Sequence, residues 1–307
     1  MERGFVIKST GSWFTVKSEN GLLVNCKIKG TYRIKDIKST NPVTVGDHVT
    51  FIVNDDNTGI IVSIDERKNY IIRRASNLSK QYQLLAANID RAWIIASLKN
   101  PQTFLEFIDR FLVSAEAYRI PVSIIFNKID LLDEFSLNEL ENLINQYEKI
   151  GYQCFKISAT EKTNIIEIEN LIYGKINLFA GNSGVGKSTL INTLDPSIDL
   201  RIGAISDYHK KGKHTTTFAQ MFELSKGGYI IDTPGIKGFG IVDIDKVELF
   251  HFFPEIFQKS SECQFYNCKH THEPGCAVKK AVETNHIMQS RYDSYMSLLM
   301  DDEERYR

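Results

Sequence analysis

Over the first seventy positions, apolar and β-branched residues gather in short strand-like runs separated by polar turn residues. The runs are Phe5–Lys8, Trp13–Lys17, Leu22–Ile28, His48–Val53 and Gly59–Ile64, broken at Thr10-Gly11, Glu19-Asn20-Gly21, Gly46-Asp47 and Asp55-Asp56-Asn57. About five strands in so short a stretch, with VTVGDHVTF at Val43–Phe51, predict a small closed barrel of the oligonucleotide-binding type. Asn69–Ala86 shows no strong periodicity and reads as a linker.

From Ile89 the pattern becomes strands alternating with helical stretches, the signature of a parallel sheet covered on both faces. Strands are expected at Arg91–Leu98, Val122–Phe126, Gln153–Ile157, Ile176–Ala180 and Tyr229–Ile231, and helices at Phe104–Tyr118, Ser136–Ile150 and Asn164–Ile172. After about Ile241 come an aromatic stretch (Phe250, Phe252, Phe253, Phe257), a Cys/His cluster and a polar helical tail, Ala277–Arg307, whose DDEERYR end should fray. The expected organisation is a multidomain α/β chain: a barrel over 1–70, a nucleotide-binding domain over 71–240 and a helical metal-binding domain over 241–307.

Composition agrees with this division, because 307 residues are long for one core. No apolar run approaches ~18 residues and MERGFVIKST lacks a signal-peptide pattern, so a cytoplasmic protein without a membrane span is expected. A net charge of −1 gives the whole chain no polyanion-binding signature, yet residues 1–74 hold twelve Lys and Arg against eight Asp and Glu. This local excess suits nucleic acid and a solvated surface equally. On the barrel, Trp13, Phe14, Lys27, Lys29, Tyr32, Arg33 and Lys35 are candidates for a single-strand-binding face, while Trp13 and Phe14 would serve equally as core.

The densest chemistry is GNSGVGKST, Gly181–Thr189, which fits G-x-x-x-x-G-K-[ST]. An apolar strand enters it and a helix leaves it, so the backbone N–H groups of Gly181, Asn182, Ser183, Gly184, Val185 and Gly186 would wrap a phosphate. Lys187 would neutralise β- and γ-phosphate charge, Ser188 would ligate magnesium, and Thr189 closes the nucleotide-binding stretch before the helix Leu190–Leu194. Asn127-Lys128-Ile129-Asp130 follows the strand Val122–Phe126 directly. The Asp130 carboxylate can accept both N1–H and N2–H of guanine, whereas adenine would leave it unpaired. Asn127 and the Lys128 stem would hold the rest of the base and ribose.

Ser158-Ala159, just past Gln153–Ile157, matches the loop whose backbone N–H meets guanine O6. Asp232-Thr233-Pro234-Gly235 follows Tyr229–Ile231, with Asp232 expected on the magnesium side and the Gly235 N–H at the γ-phosphate. Between phosphate loop and DTPG lies KKGKHTTT, Lys210–Thr217, where Thr215 or Thr216 would complete the magnesium shell. Ile236 stands where Ras-like GTPases carry a water-orienting glutamine, which leaves His214 as a candidate catalytic group or else a polar switch residue.

Motif order is the informative fact, since the base-reading segments precede the phosphate loop instead of following it. The chain resembles a circularly permuted GTPase, in which the segment after DTPG leads straight into the C-terminal part. There, Cys263-x4-Cys268-x-His270-x5-Cys276 supplies a closed tetrahedral Cys3His set for structural zinc, with His272 as a rival to His270. Cys26 and Cys154 fall on strand-like runs and read as core residues.

Together NKID, GNSGVGKST, KHTTT, DTPGI and CQFYNCKHTHEPGC, behind a small barrel, resemble the RsgA (YjeQ) family of bacterial GTPases over essentially the whole chain. Departures are small: Lys213 stands where Arg is common, and His272 adds an imidazole near the cysteines. The resemblance implies a monomeric enzyme that binds GTP and GDP with Mg2+ and carries one Zn2+. It implies binding to the 30S subunit and its 16S rRNA through barrel and zinc domain, help in late subunit maturation, and departure after stimulated hydrolysis. A guanine-regulated RNA-binding switch acting on another RNA or particle is the alternative.

Overall fold

A computed structural model describes residues 1–28, 42–74, 82–200, 220–232 and 245–300. Lys29, Tyr32, Arg33, Lys35, the KKGKHTTT segment, Thr233 to Ile236 and the DDEERYR end lie outside these residues.

The strand-like runs become β1 (Glu2–Ser9), β2 (Phe14–Ser18), β3 (Leu23–Ile28), β4 (His48–Val53) and β5 (Thr58–Ile64). Side chains on alternate positions point inward, so Val6, Phe14, Val16, Val24, Cys26, Val49, Phe51 and Ile61 fill one core. The strand order β1-β2-β3-β5-β4 closes on itself, because β1 pairs with β4 as well as β2. Phe14 is fully buried while Trp13 is 39% exposed, which separates the two aromatics that the sequence left equivalent.

Asn69–Ala86 is not a linker. β6 (Tyr70–Arg74) and β7 (Tyr82–Ala87) form an antiparallel hairpin whose Ile71, Leu85 and Ala86 join the main core of the next domain. Ile71, Ile72 and Leu84 to Ala87 are all buried, so the alternation that marks a half-exposed strand is missing and the pattern gives no sign of it.

The second domain is a six-stranded layer of the continuous eleven-stranded sheet, ordered β10-β9-β8-β11-β13-β12. Its strands are β8 (Arg91–Ala96), β9 (Val122–Phe126), β10 (Gln153–Lys156), β11 (Ile176–Gly181), β12 (Gln220–Glu223) and β13 (Tyr229–Asp232). All neighbours run parallel except β12, an edge strand beyond the expected set, which pairs antiparallel with β13. Strand alternation sorts the two faces. Ala92, Ile94 and Ala96 of β8 pack with α1 (Leu105–Ala117) and α2 (Glu134–Ile150), whereas Trp93 and Ile95 pack with α3 (Ile165–Ile172) and α4 (Lys187–Leu194).

Lys8 of β1 bridges Gln220 of β12, so the barrel extends the parallel layer across its edge. The contact is reinforced by Lys17 Nζ at 2.6 Å from the Glu223 carboxylate and by Phe5 edge-on to Tyr229, centroids 5.0 Å apart. An edge strand with open N–H and C=O groups is thereby covered in cis.

The expected single helical tail is two helices, α6 (Ala277–Glu283) and α7 (Gln289–Met300), preceded by α5 (Pro254–Ser260). Phe253, Ile256, Val278, Val282 and Tyr295 form its core, and Val113 of α1 belongs to the same cluster. Charge closes the seam as well. Arg291 on α7 is fully buried, donating to Asp109 of α1 (3.1 Å) and Glu255 of α5 (2.7 Å), and Asp109 also accepts from Tyr147 (2.9 Å) and Ser294 (2.6 Å). Desolvation opposes the Arg291 charge, but the two carboxylates outweigh it and hold the guanidinium protonated.

Candidate functional site

A parallel sheet puts the carboxyl ends of its strands on one edge, where ligands bind. Asn127 follows β9, Ser158 lies just beyond β10, the phosphate loop opens at the end of β11 and Asp232 ends β13. Segments distant in sequence are brought together by strand order alone.

Gly186 caps α4 with φ +94°, and a β-carbon there would collide with the Asn127 amide nitrogen, so glycine is required twice over. No side chain caps this helix, leaving its first N–H groups to the loop they face. Ser188 sits half-buried in the first turn, and Lys187 pairs with Asp232, both side chains nearly enclosed. A cation and a carboxylate thus meet where the sequence expects phosphate and magnesium.

Asn127 is buried, and both ends of its amide are used within the protein. Nδ2 donates to Val185 O of the phosphate loop (2.9 Å), and Oδ1 accepts from Ala159 N (3.0 Å). It thereby holds three loops together. The Ala159 N–H satisfies the buried amide oxygen, which unpaired would cost about 1–3 kcal/mol. Ser158 is fully buried, and its Oγ accepts from Glu161 N at 3.1 Å.

Lys128, at φ +67°, donates to the Asn100 and Gly184 carbonyls, the latter at 2.7 Å. Asp130 by contrast is exposed on a short 3-10 turn, Ile129–Leu131, and no side-chain hydrogen bond claims it among the described residues. A free carboxylate beside a braced loop is suited to reading a base edge. Sequence reading missed the Asn100 segment, whose only signal was its position after β8 on the same edge. A cavity of about 380 Å³ between Glu116, Tyr152 and Pro254 lies at the opposite edge and holds none of these motifs.

In the C-terminal domain the ligand atoms of Cys263, Cys268, His270 and Cys276 all lie within 4.8 Å of one another. His270 Nδ1 is 3.6 Å from both Cys263 Sγ and Cys276 Sγ, and the two sulfurs are 4.0 Å apart. Tetrahedral zinc with bonds of about 2.0 and 2.3 Å gives edges near these lengths. His272 is exposed and turns to Thr271 Oγ1 (3.0 Å), so the geometry selects His270. Burial pushes the Cys268 thiol up to about 12 and raises Cys276 as well. Three thiolates cannot share such a site without a dication, which zinc supplies.

The model of the RsgA GTPase family matches residues 64–242, and that of the RsgA N-terminal domain matches residues 3–61. The chain belongs to the RsgA GTPase family. It is 56% identical to the small ribosomal subunit biogenesis GTPase RsgA of Bacteroides fragilis (strain YCH46), over 99% of each chain. The protein of that name from Flavobacterium johnsoniae is 51% identical, over 99% of this chain and 94% of that one. Among solved structures, YjeQ from Thermotoga maritima matches with a TM-score of 0.78 and 35% identity, over 98% of this chain and 99% of that one. YloQ, a circularly permuted GTPase, matches at 0.72 and 29% identity, over 97% and 94%. The protein is a GTP-hydrolysing enzyme with an oligonucleotide-binding-type barrel, a circularly permuted GTPase domain and a helical C-terminal domain whose Cys3His set fits zinc.

Proposed function

We propose that this chain binds the small ribosomal subunit in its GTP state, assists a late step of that subunit's maturation, and leaves when GTP is hydrolysed. The observation that carries the guanine site is Asn127 joined to Val185 and Ala159, which makes base-reading loop, phosphate loop and Ser158-Ala159 one unit. The partner is supported by relatives named for small-subunit biogenesis that align along nearly the whole chain.

In this reading the boundaries fall at 1–70, 71–240 and 241–307. Gly181 to Thr189 receive the phosphates, Asp130 reads guanine, and Lys187 exchanges Asp232 for the β- and γ-phosphates. Ser188, Asp232 and Thr215 or Thr216 hold Mg2+, Gly235 senses the γ-phosphate, and His214 orients the attacking water. Cys263, Cys268, His270 and Cys276 hold one structural Zn2+, and thiols kept for metal suit a reducing cytoplasm. The working unit is a monomer.

Contact with 16S rRNA is supported on the barrel, where the Lys27 ammonium sits 4.4 Å from the ring centroid of half-exposed Trp13. A cation over an exposed aromatic is the pairing that stacks a base and meets its phosphate. The same feature would serve a switch acting on another RNA. Steady-state GTP hydrolysis with purified 30S subunits, with 50S subunits as control, separates the readings. A large rise specific to 30S is expected; equal rates with and without 30S would refute the proposed partner.

A further inference from the structure

The loop between β8 and α1 carries none of the sequence motifs, yet it touches two of them. Lys128 Nζ donates to the Asn100 carbonyl as well as to Gly184 O. Pro101 lies against the phosphate loop, where a β-carbon on Gly184 would come within 3.3 Å of Pro101 Cδ.

A main-chain carbonyl is aimed only by fixing its own peptide, and this loop is fixed by a knot at its base. Thr103 N donates to Ser97 O (2.8 Å), Ser97 N donates to Thr103 Oγ1 (3.1 Å), and Ser97 Oγ donates to Pro101 O (2.6 Å). Ser97 and Thr103 are 1% and 7% exposed, so water does not replace these bonds readily. Lys99 adds an exposed pair with Asp133 at 3.1 Å.

We propose that the Ser97–Thr103 loop is the outer wall of the phosphate loop, and that Ser97 and Thr103 are positioning residues that set how long the nucleotide stays bound. The knot presents Asn100 O to Lys128, and Lys128 in turn ties that wall to Gly184. The contact reaches the phosphate loop at Gly184 and makes no bond to the Asp130 carboxylate, so loosening it hastens release of GDP and GTP alike without changing the preference for guanine. The proposal rests on the nucleotide placement given above.

The test uses the full-length, zinc-loaded protein and release of fluorescent GDP and GTP followed by stopped flow. Thr103→Val keeps the shape and removes the hydroxyl, whereas Thr103→Ser keeps the hydroxyl; Ser97→Ala removes the second bond independently. Thr103→Val and Ser97→Ala should each speed release of both nucleotides by about five- to tenfold, the loss of one buried hydrogen bond, with Thr103→Ser close to the parent. Parent-like release from Thr103→Val or Ser97→Ala would overturn the proposal, as would Thr103→Ser behaving like Thr103→Val. Lys187→Ala checks the placement separately: loss of labelled-nucleotide binding locates the site, and retained binding would count against the placement itself.

Discussion

The nucleotide edge and the C-terminal seam handle charge in opposite ways. At the edge, buried groups such as Asn127 brace loops against one another, and the Asp130 carboxylate is left exposed. At the seam and the cysteine cluster most charges and soft ligands are enclosed: Arg291 and Asp109 are fully buried, His270 is 1% exposed, and Cys268 and Cys276 are buried. A site that exchanges its ligand keeps its recognition group free and puts its stability into the scaffold. A site that keeps its ligand for the life of the fold makes the ligand part of the core.

The sharpest way to break this comparison is to disrupt the Cys3His set proposed to hold zinc. Cys268→Ala should abolish stoichiometric zinc, measured by metal analysis, and unfold the C-terminal domain, whose core includes Cys268 and Cys276. The pH dependence has a fixed sign. Zinc binding displaces protons from thiols that burial holds above their usual range, so zinc and the stability it confers are lost as pH falls, and a chelator should strip the metal faster at pH 6 than at pH 8. Chelator resistance that does not vary with pH would show that the cluster is not the zinc site.

A smaller effect is expected at the seam. Asp109→Ala leaves the Arg291 charge with Glu255 alone and removes the acceptor of Tyr147 and Ser294. Denaturant unfolding should register a loss of about 3–5 kcal/mol. A loss under about 1 kcal/mol would mean that the two domains are not locked through this cluster.

At the other extreme, Asp130→Asn should leave unfolding stability within about 0.5 kcal/mol, since the side chain is exposed and no hydrogen bond claims it among the described residues. Its effect should fall on binding. GTP affinity drops about a hundredfold with two charge-assisted bonds weakened, and xanthine nucleotides gain. Destabilisation comparable to Asp109→Ala would erase the distinction between edge and seam.

Much of the molecule was legible in its sequence because the deciding physics is local. A half-buried strand shows its pattern in neighbouring residues, so β2 to β5 fall within one residue of the expected runs, while β1 begins three residues before its run. Residue chemistry needs no fold either: GNSGVGKST, NKID and the Cys3His spacing state their ligands by type and order. What only the tertiary structure decided depends on partners far apart. Ile71, Ile72 and Leu84 to Ala87 of β6 and β7 are buried in succession and carry no alternation. The choice of His270 over His272 turns on which ring faces two sulfurs. The bond from Asn127 to Val185 spans 58 positions, and it exists because burial of both sheet faces set the strand order that brings β9 and β11 to one edge. Local pattern names the groups, and the sheet decides which of them meet.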